Sequence, residues 1–378
     1  MELKLPTYVK ITLILLGIAL VVGIMQTFKS VLVPLAFALL IALLLLPLIK
    51  DLERSRVPRP IAILLCIFLI VIVVGGVFWF FSMQVISLTS ELDKIGNNIG
   101  DLVDKVQMFL YNKFGIEPFN RADLVRNAIG SLQDITATFL GNTISMTTGA
   151  LMMLVLMPIF VFCFLYYRDH LQQFIFMFVP KDRRSSLTKT VANIQRVVQS
   201  YISALMIVIF IVALLNSAGL LLLGVKYAIF FGVFAAILTI IPYIGILIGA
   251  LLPALITLAT TGHTIDAILV VAVFMFVQFL EGNFITPYVV GSRVSINPFA
   301  AIVGLLIGGE IWGAAGMILS IPFIAMLRVM FELYPPLAPF GFLLADIDEV
   351  NHRKHGKLSN WLSEIWNGIW HGKKKKDS

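Results

Sequence analysis

The chain holds 378 residues, 59% of them hydrophobic and 13% charged, with a mean hydropathy of +0.97. Soluble proteins carry about 25% charged residues, so this composition excludes a disordered chain, a disulfide scaffold and a typical cytosolic enzyme. It fits an all-α, polytopic membrane protein, in which lipid takes the place of polar surface. Lys and Arg exceed Asp and Glu by 28 to 21, a net charge of +7. Charge is otherwise so sparse that topology, and not a nucleic-acid partner, is expected to account for it. Cys66 and Cys163 both sit in apolar runs and read as buried thiols, with no metal site or cofactor expected.

The charges punctuate the chain. Eighteen uncharged residues separate Lys10 from Lys29, and twenty separate Lys29 from Lys50. Residues 60–90, 135–167, 197–225 and 227–265 are also free of Asp, Glu, Lys and Arg. A span needs about 20 residues, and backbone polar groups in hydrocarbon must bond within their own segment, which selects helices. The first apolar run continues to Gln26 without a small-residue cleavage pattern, so it reads as a span and not as a signal peptide. The loop 50–59 carries Lys50, Arg54, Arg56 and Arg59 against Asp51 and Glu53, and 168–196 is basic as well. Both are expected on the cytoplasmic side. The stretch 91–134 has no basic excess and is expected outside, which leaves both termini cytoplasmic.

These runs divide the chain into helices 1–3 (1–86), an external helical insert (87–145), helix 4 with a cytoplasmic amphipathic linker (146–200), helix 5 with a broken-helix core (201–334), and a cytoplasmic tail (335–378). About seven to eight spans are expected. In the insert, Leu88, Leu92, Ile95, Ile99, Leu102, Val106 and Phe109 alternate steps of four and three. That is a heptad stripe, suited either to a self-packed helical hairpin or to a subunit contact in a homo-oligomer.

The last third has a different texture. Residues 227–260 exceed one straight span and are interrupted by Pro242, Gly245, Gly249 and Pro253. Residues 298–333 repeat the habit with Gly308, Gly309, Gly313, Gly316 and Pro322, entered through Pro298. Two broken-helix hairpins are expected, either re-entrant or fully spanning, around one ordinary helix near 266–287 that carries Pro287. Interrupted helices free backbone groups that lipid cannot satisfy, and pairs of them point to a transport site. Few ionisable or polar groups lie at this depth: Gln278, Glu281 and Asn283, then Arg293 and Asn297, then Glu310. A carboxylate at the bilayer centre is costly unless paired, protonated or wetted, so Glu281 is the first candidate for a solute or ion pathway.

The tail places Leu358, Trp361, Leu362, Ile365, Trp366 and Ile369 on one helical face beside Trp370, followed by Lys373, Lys374, Lys375 and Lys376. Tryptophans at headgroup level with lysines beyond them suit a helix lying on an anionic lipid surface.

The stretches Ile241-Pro242-Tyr243-Ile244-Gly245, Gln278-Phe279-Leu280-Glu281-Gly282-Asn283 with Pro287, Asn297-Pro298, and Gly308-Gly309 with Gly313, Gly316 and Pro322 resemble the AI-2E family of bacterial transporters, named for export of the quorum signal autoinducer-2. The resemblance implies an oligomeric inner-membrane transporter. Its solute would be a small polar molecule such as autoinducer-2, or a monovalent cation exchanged for protons. The chain lacks a Gly-x-x-x-x-Gly-Lys-Ser/Thr loop, a His-Glu-x-x-His pair and a Gly-x-Ser-x-Gly elbow, which favours a secondary transporter over an ATP-driven pump or an intramembrane enzyme. A membrane scaffold without transport is the remaining class.

Overall fold

The computed structural model describes residues 6–89, 148–180, 184–241, 244–290 and 296–346, with isolated positions between 104 and 130. Pro242, Arg293, the stripe Leu92–Phe109 apart from Val106's neighbours at those isolated positions, and the tail with Trp361, Trp366, Trp370 and Lys373–Lys376 lie outside the described residues.

Helices account for nearly all of the described chain. In order they are α1 (Thr7–Thr27), α2 (Lys29–Arg54), α3 (Arg59–Thr89), α4 (Thr148–Tyr166), α5 (Arg168–Met177), α6 (Arg184–Leu222), α7 (Ala228–Leu238), α8 (Ile244–Thr261), α9 (Thr264–Leu280), α10 (Thr286–Val289), α11 (Pro298–Trp312), α12 (Ala314–Leu333) and α13 (Ala338–Leu344). Among the described residues six helices are long and apolar enough to cross a membrane, and four shorter apolar ones accompany them. The protein is therefore an all-α, multi-pass membrane protein. α6 runs for 39 residues without a break, so the basic linker and the fifth span form one helix and position 200 falls inside it.

Five clusters of buried side chains hold the described helices, and three of them join the most distant parts of the chain. Ala38, Ala42, Leu45 and Ile49 of α2 pack against Ala62 and Ile63 of α3 and Val161 and Leu165 of α4. Phe81 of α3 meets Phe230 of α7, ring centroids 5.2 Å apart, in a second core with α8 and α9. A third joins α2, α6 and α12 through Leu40, Val198 and Leu319. α1 stands apart: none of its span is buried, and its C-terminal end is tied to α11 by the Trp312 indole N–H donating to Met25 O at 2.9 Å.

α6, α7 and α8 fold back on one another because small residues let the backbones touch. Gly224 (φ +69°) and Tyr227 (φ +64°) reverse the chain after α6. The Tyr227 hydroxyl donates to Ser87 O at 3.1 Å, and burial pushes its phenol above the ordinary value. A Cβ on Gly232 would stand 2.8 Å from Ser217 Cα, and one on Gly245 would stand 1.9 Å from Leu238 O, so only glycine permits either approach. α7 has 11 residues and rises about 16 Å, half of a hydrocarbon core of about 30 Å. It is shorter than one span, and α8, with 18 residues, follows it beyond Thr239 as the second arm of the first hairpin.

The second hairpin, α11 and α12, turns at Gly313, whose φ of +62° with ψ −142° suits glycine alone. Gly308 and Gly316 face each other across it. A Cβ on Gly316 would lie 1.8 Å from Gly308 O, and the Ser320 hydroxyl lies 2.8 Å from Gly304 O and 2.6 Å from Gly316 O. The expected hinges divide accordingly. Gly313 marks a break and Gly245 opens α8 just after one, whereas Gly249, Pro253, Gly308, Gly309, Gly316 and Pro322 lie within continuous helices. There the glycines serve close packing, as small residues do between membrane helices, and the prolines are tolerated because neighbouring helices bury them. Pro298 opens α11 at a position where its missing N–H costs nothing.

Candidate functional site

α9 does not end cleanly. Its last turns widen into a π-helical segment over Glu281–Ile285 before α10 resumes at Thr286. Pro287 supplies the cause. It has no N–H to return to Asn283 O and its ring crowds that carbonyl, so the helix takes up an extra residue and the Thr286 N–H reaches Glu281 O instead. The widened turn brings the Glu281 carboxylate between two side chains of its own helix. The Thr286 hydroxyl donates to Oε1 at 2.9 Å, and the Gln278 Nε2 amide donates to Oε2. Glu281 is half-buried.

Next to this turn lies a partly open cavity of about 290 Å³, lined by α6, α7, α8 and α9. Its wall is mostly apolar, from Val212, Ala235 and Phe274, and the backbone at Gly245 and Gly249 faces it. Its polar groups are Asn216, Thr239 and Gln278. Asn216 is 3% exposed, and its Oδ1 is buried without a hydrogen-bond partner. The Thr239 hydroxyl proton goes to Ala236 O at 2.7 Å, and one Gln278 amide proton goes to Glu281 Oε2. Asn216 thus presents a free acceptor oxygen to the cavity, beside the donors of its own amide and of Gln278. A cavity with that lining suits a small uncharged solute that both donates and accepts hydrogen bonds, and the partnerless Asn216 oxygen favours a donor there.

Of the expected site residues, the structure brings together Gln278, Glu281, Gly245 and Gly249. Asn283 is exposed, and its amide donates back to Phe279 O at 2.9 Å. Asn297 turns out to be a staple. Its Oδ1 accepts from the Ala300 N–H at 2.7 Å, capping α11, while Nδ2 donates to Leu343 O and to Ala345 O at 3.3 Å. With its amide so used, it has little left for a solute. Glu310 is exposed three residues before the Gly313 apex of the second hairpin and is not among the residues lining this cavity. Asn216 and Thr239 were not anticipated. The signal was present in Asn216-Ser217, the polar pair inside the charge-free run 197–225.

A second polar group ties the other end of the molecule. Arg168 Nη2 pairs with Glu53 Oε2 at 2.6 Å, and Arg59 bridges Glu53 Oε1 at 3.3 Å and Asp169 Oδ2 at 2.7 Å. This clasp joins the end of α2, the start of α3 and the α4–α5 junction. Among the residues searched there is no group of His, Cys, Asp and Glu suited to a metal ion.

The sequence profile described as AI-2E family transporter matches residues 11–335. The chain belongs to the AI-2E transporter family. This AI-2E protein is 27% identical over 314 residues to YrrI of Bacillus subtilis, covering 80% of this chain and 86% of the relative. It is 29% identical over 358 residues to a Haemophilus influenzae protein, covering 89% and 97%. Both relatives are named as candidate transport proteins. It is 24% identical over 329 residues to the AI-2 transport protein TqsA of Escherichia coli K12, covering 85% and 91%. Family and fold together give this protein a role in membrane transport.

Proposed function

We propose that this AI-2E protein is a secondary transporter of the bacterial inner membrane that exports a small polar solute of the autoinducer-2 kind, driven by a proton or ion gradient. The observation that carries the reading is the α6–α9 cavity, where the partnerless Oδ1 of Asn216 and the Gln278–Glu281 pair meet an interrupted helix hairpin. The solute's hydroxyls would donate to Asn216, Thr239 and Gln278. Glu281 would couple transport to the gradient, because a change in its protonation alters its bonds to Gln278 and Thr286 and so the lining of the cavity. The π-helical turn supplies a segment able to change register, and such turns recur at functional sites. Sodium or lithium exchange for protons is a second reading, favoured by the partnerless Asn216 oxygen beside the Glu281 carboxylate turn. In either case the basic loops put both termini in the cytoplasm, the chains assemble as a homo-oligomer, and the tail tryptophans and lysines rest on anionic lipid.

Glu281→Gln tests the reading. The variant keeps the shape and removes the charge, so it should express and assemble normally. Uptake into proteoliposomes, assayed with autoinducer-2 and with sodium, should fall at least tenfold or lose its pH dependence. Normal, pH-responsive flux in this variant would sink the coupling role. Absence of flux of any solute in the unaltered protein would favour a scaffold.

A further inference from the structure

A second cleft, of about 340 Å³, opens where α2, α4, α5 and the first turns of α6 meet. It is separate from the α6–α9 cavity and shares no lining residue with it. Leu39, Leu43 and Leu46 of α2 line it at steps of four and three, and Lys50 continues the same face one turn further. Leu187 and Val191 of α6 form the facing wall. From Leu39 to Lys50 the helix rises about 16 Å, close to the roughly 15 Å of hydrocarbon in one leaflet. α5, which roofs the cleft, leaves Phe174 and Met177 55% and 76% exposed, as a short helix lying at the headgroup level does.

The charges at the mouth do not balance. Glu53 and Asp169 are taken up by Arg59 and Arg168 in the clasp. Asp51 pairs with Arg54 at 3.3 Å. Lys50 is exposed, lines the cleft, and has no ion-pair partner among the described residues. Arg168 also lines it, and its Nη1 is buried without a hydrogen-bond partner. The cleft thus joins a leaflet-long apolar wall to a surplus positive charge at headgroup depth.

We propose that this cleft binds one anionic phospholipid, with its phosphate against Lys50 and Arg168 and one acyl chain along the Leu39–Leu43–Leu46 wall. Basic pockets between membrane helices bind acidic headgroups by this combination of charge and hydrocarbon. A lipid there would bridge α2, α5 and α6 beside the clasp. The site does not depend on which solute the transporter carries.

Native mass spectrometry of the full, delipidated chain, titrated with phosphatidylglycerol and separately with phosphatidylcholine, tests the proposal. Phosphatidylglycerol should be retained at several-fold lower concentration. Lys50→Gln should weaken phosphatidylglycerol about fivefold while leaving phosphatidylcholine unchanged, and the unaltered tail lysines cannot produce that difference. Ala192→Trp, at an exposed position on the α6 wall, should lower binding of both lipids by filling the groove. Equal binding of the two lipids, or a Lys50→Gln protein with unchanged preference, would overturn the site. Displacement of phosphatidylglycerol by inorganic phosphate or glycerol phosphate at comparable concentration would also overturn it, since the ligand would then be a soluble phosphate.

Discussion

Asn216 offers a test in which stability and function move in opposite directions. Its side chain is 3% exposed, and its Oδ1 has no partner. A buried amide oxygen left unbonded costs about 1–3 kcal/mol relative to an apolar group of the same shape. Leucine branches at the same carbon as asparagine, and the adjoining cavity of about 290 Å³ has room for the small increase in volume. Asn216→Leu is therefore expected to stabilise the folded protein by about 1–2 kcal/mol, since part of the gain is offset by the imperfect fit of the larger side chain. Thermal denaturation in detergent should show a higher midpoint. Solute flux in proteoliposomes should fall at least tenfold, because the cavity loses its most deeply buried acceptor. A residue kept only for folding gives the reverse pattern. A lower midpoint for Asn216→Leu, or a higher midpoint with flux intact, would refute the assignment of Asn216 to the solute.

Gly316→Ala should destabilise the second hairpin. The added Cβ would stand 1.8 Å from Gly308 O, and overpacking of about 1–3 kcal/mol outweighs the gain in helix propensity of about 1 kcal/mol. Gly17→Ala, with nothing within 4 Å of its Cβ, is the control and should leave the denaturation midpoint level or higher. A cysteine at exposed Ser186 should resist an impermeant thiol reagent in intact cells and react in inverted vesicles, because the basic stretch 168–196 is expected inside. Labelling from outside would reverse the topology. Asn297→Ala should cost about 1 kcal/mol or more in the same denaturation assay by uncapping α11, with flux per folded molecule unchanged; a selective loss of flux would return Asn297 to the pathway.

Two features of the fold have one physical origin. Backbone that leaves the helix in hydrocarbon must be covered by protein or face a cavity. The chain leaves the α-helix after α7 and again in the π-helical turn of α9, and Thr239 and Gln278, beside these two places, line the same cavity. The glycines that allow α7 to lie against α6 and α8, Gly232 and Gly245, therefore bring the two irregular segments together.

The composition and the spacing of charges were enough to determine a helical, multi-pass membrane protein, because about 20 apolar residues without charge have few other stable fates. The same reasoning placed two interrupted hairpins in the last third and singled out Glu281 and Gln278, since a carboxylate and an amide in an apolar run are costly and so conspicuous. Tertiary structure alone decided how the interruptions are used. Glycine reads identically in sequence whether it bends a helix, as at Gly313, or lets two helices touch, as at Gly308 and Gly316; only the partner atoms distinguish them. Asn297 and Asn283 looked like Gln278 in sequence, yet their amides are spent on backbone carbonyls and a helix cap. Asn216 passed unnoticed because its standing comes from what is missing around it, a partner for Oδ1 within a wall built by four helices from distant parts of the chain. Sequence spacing reports on the contacts along one helix. A cavity is a property of several helices packed together, and its lining is set only when they meet.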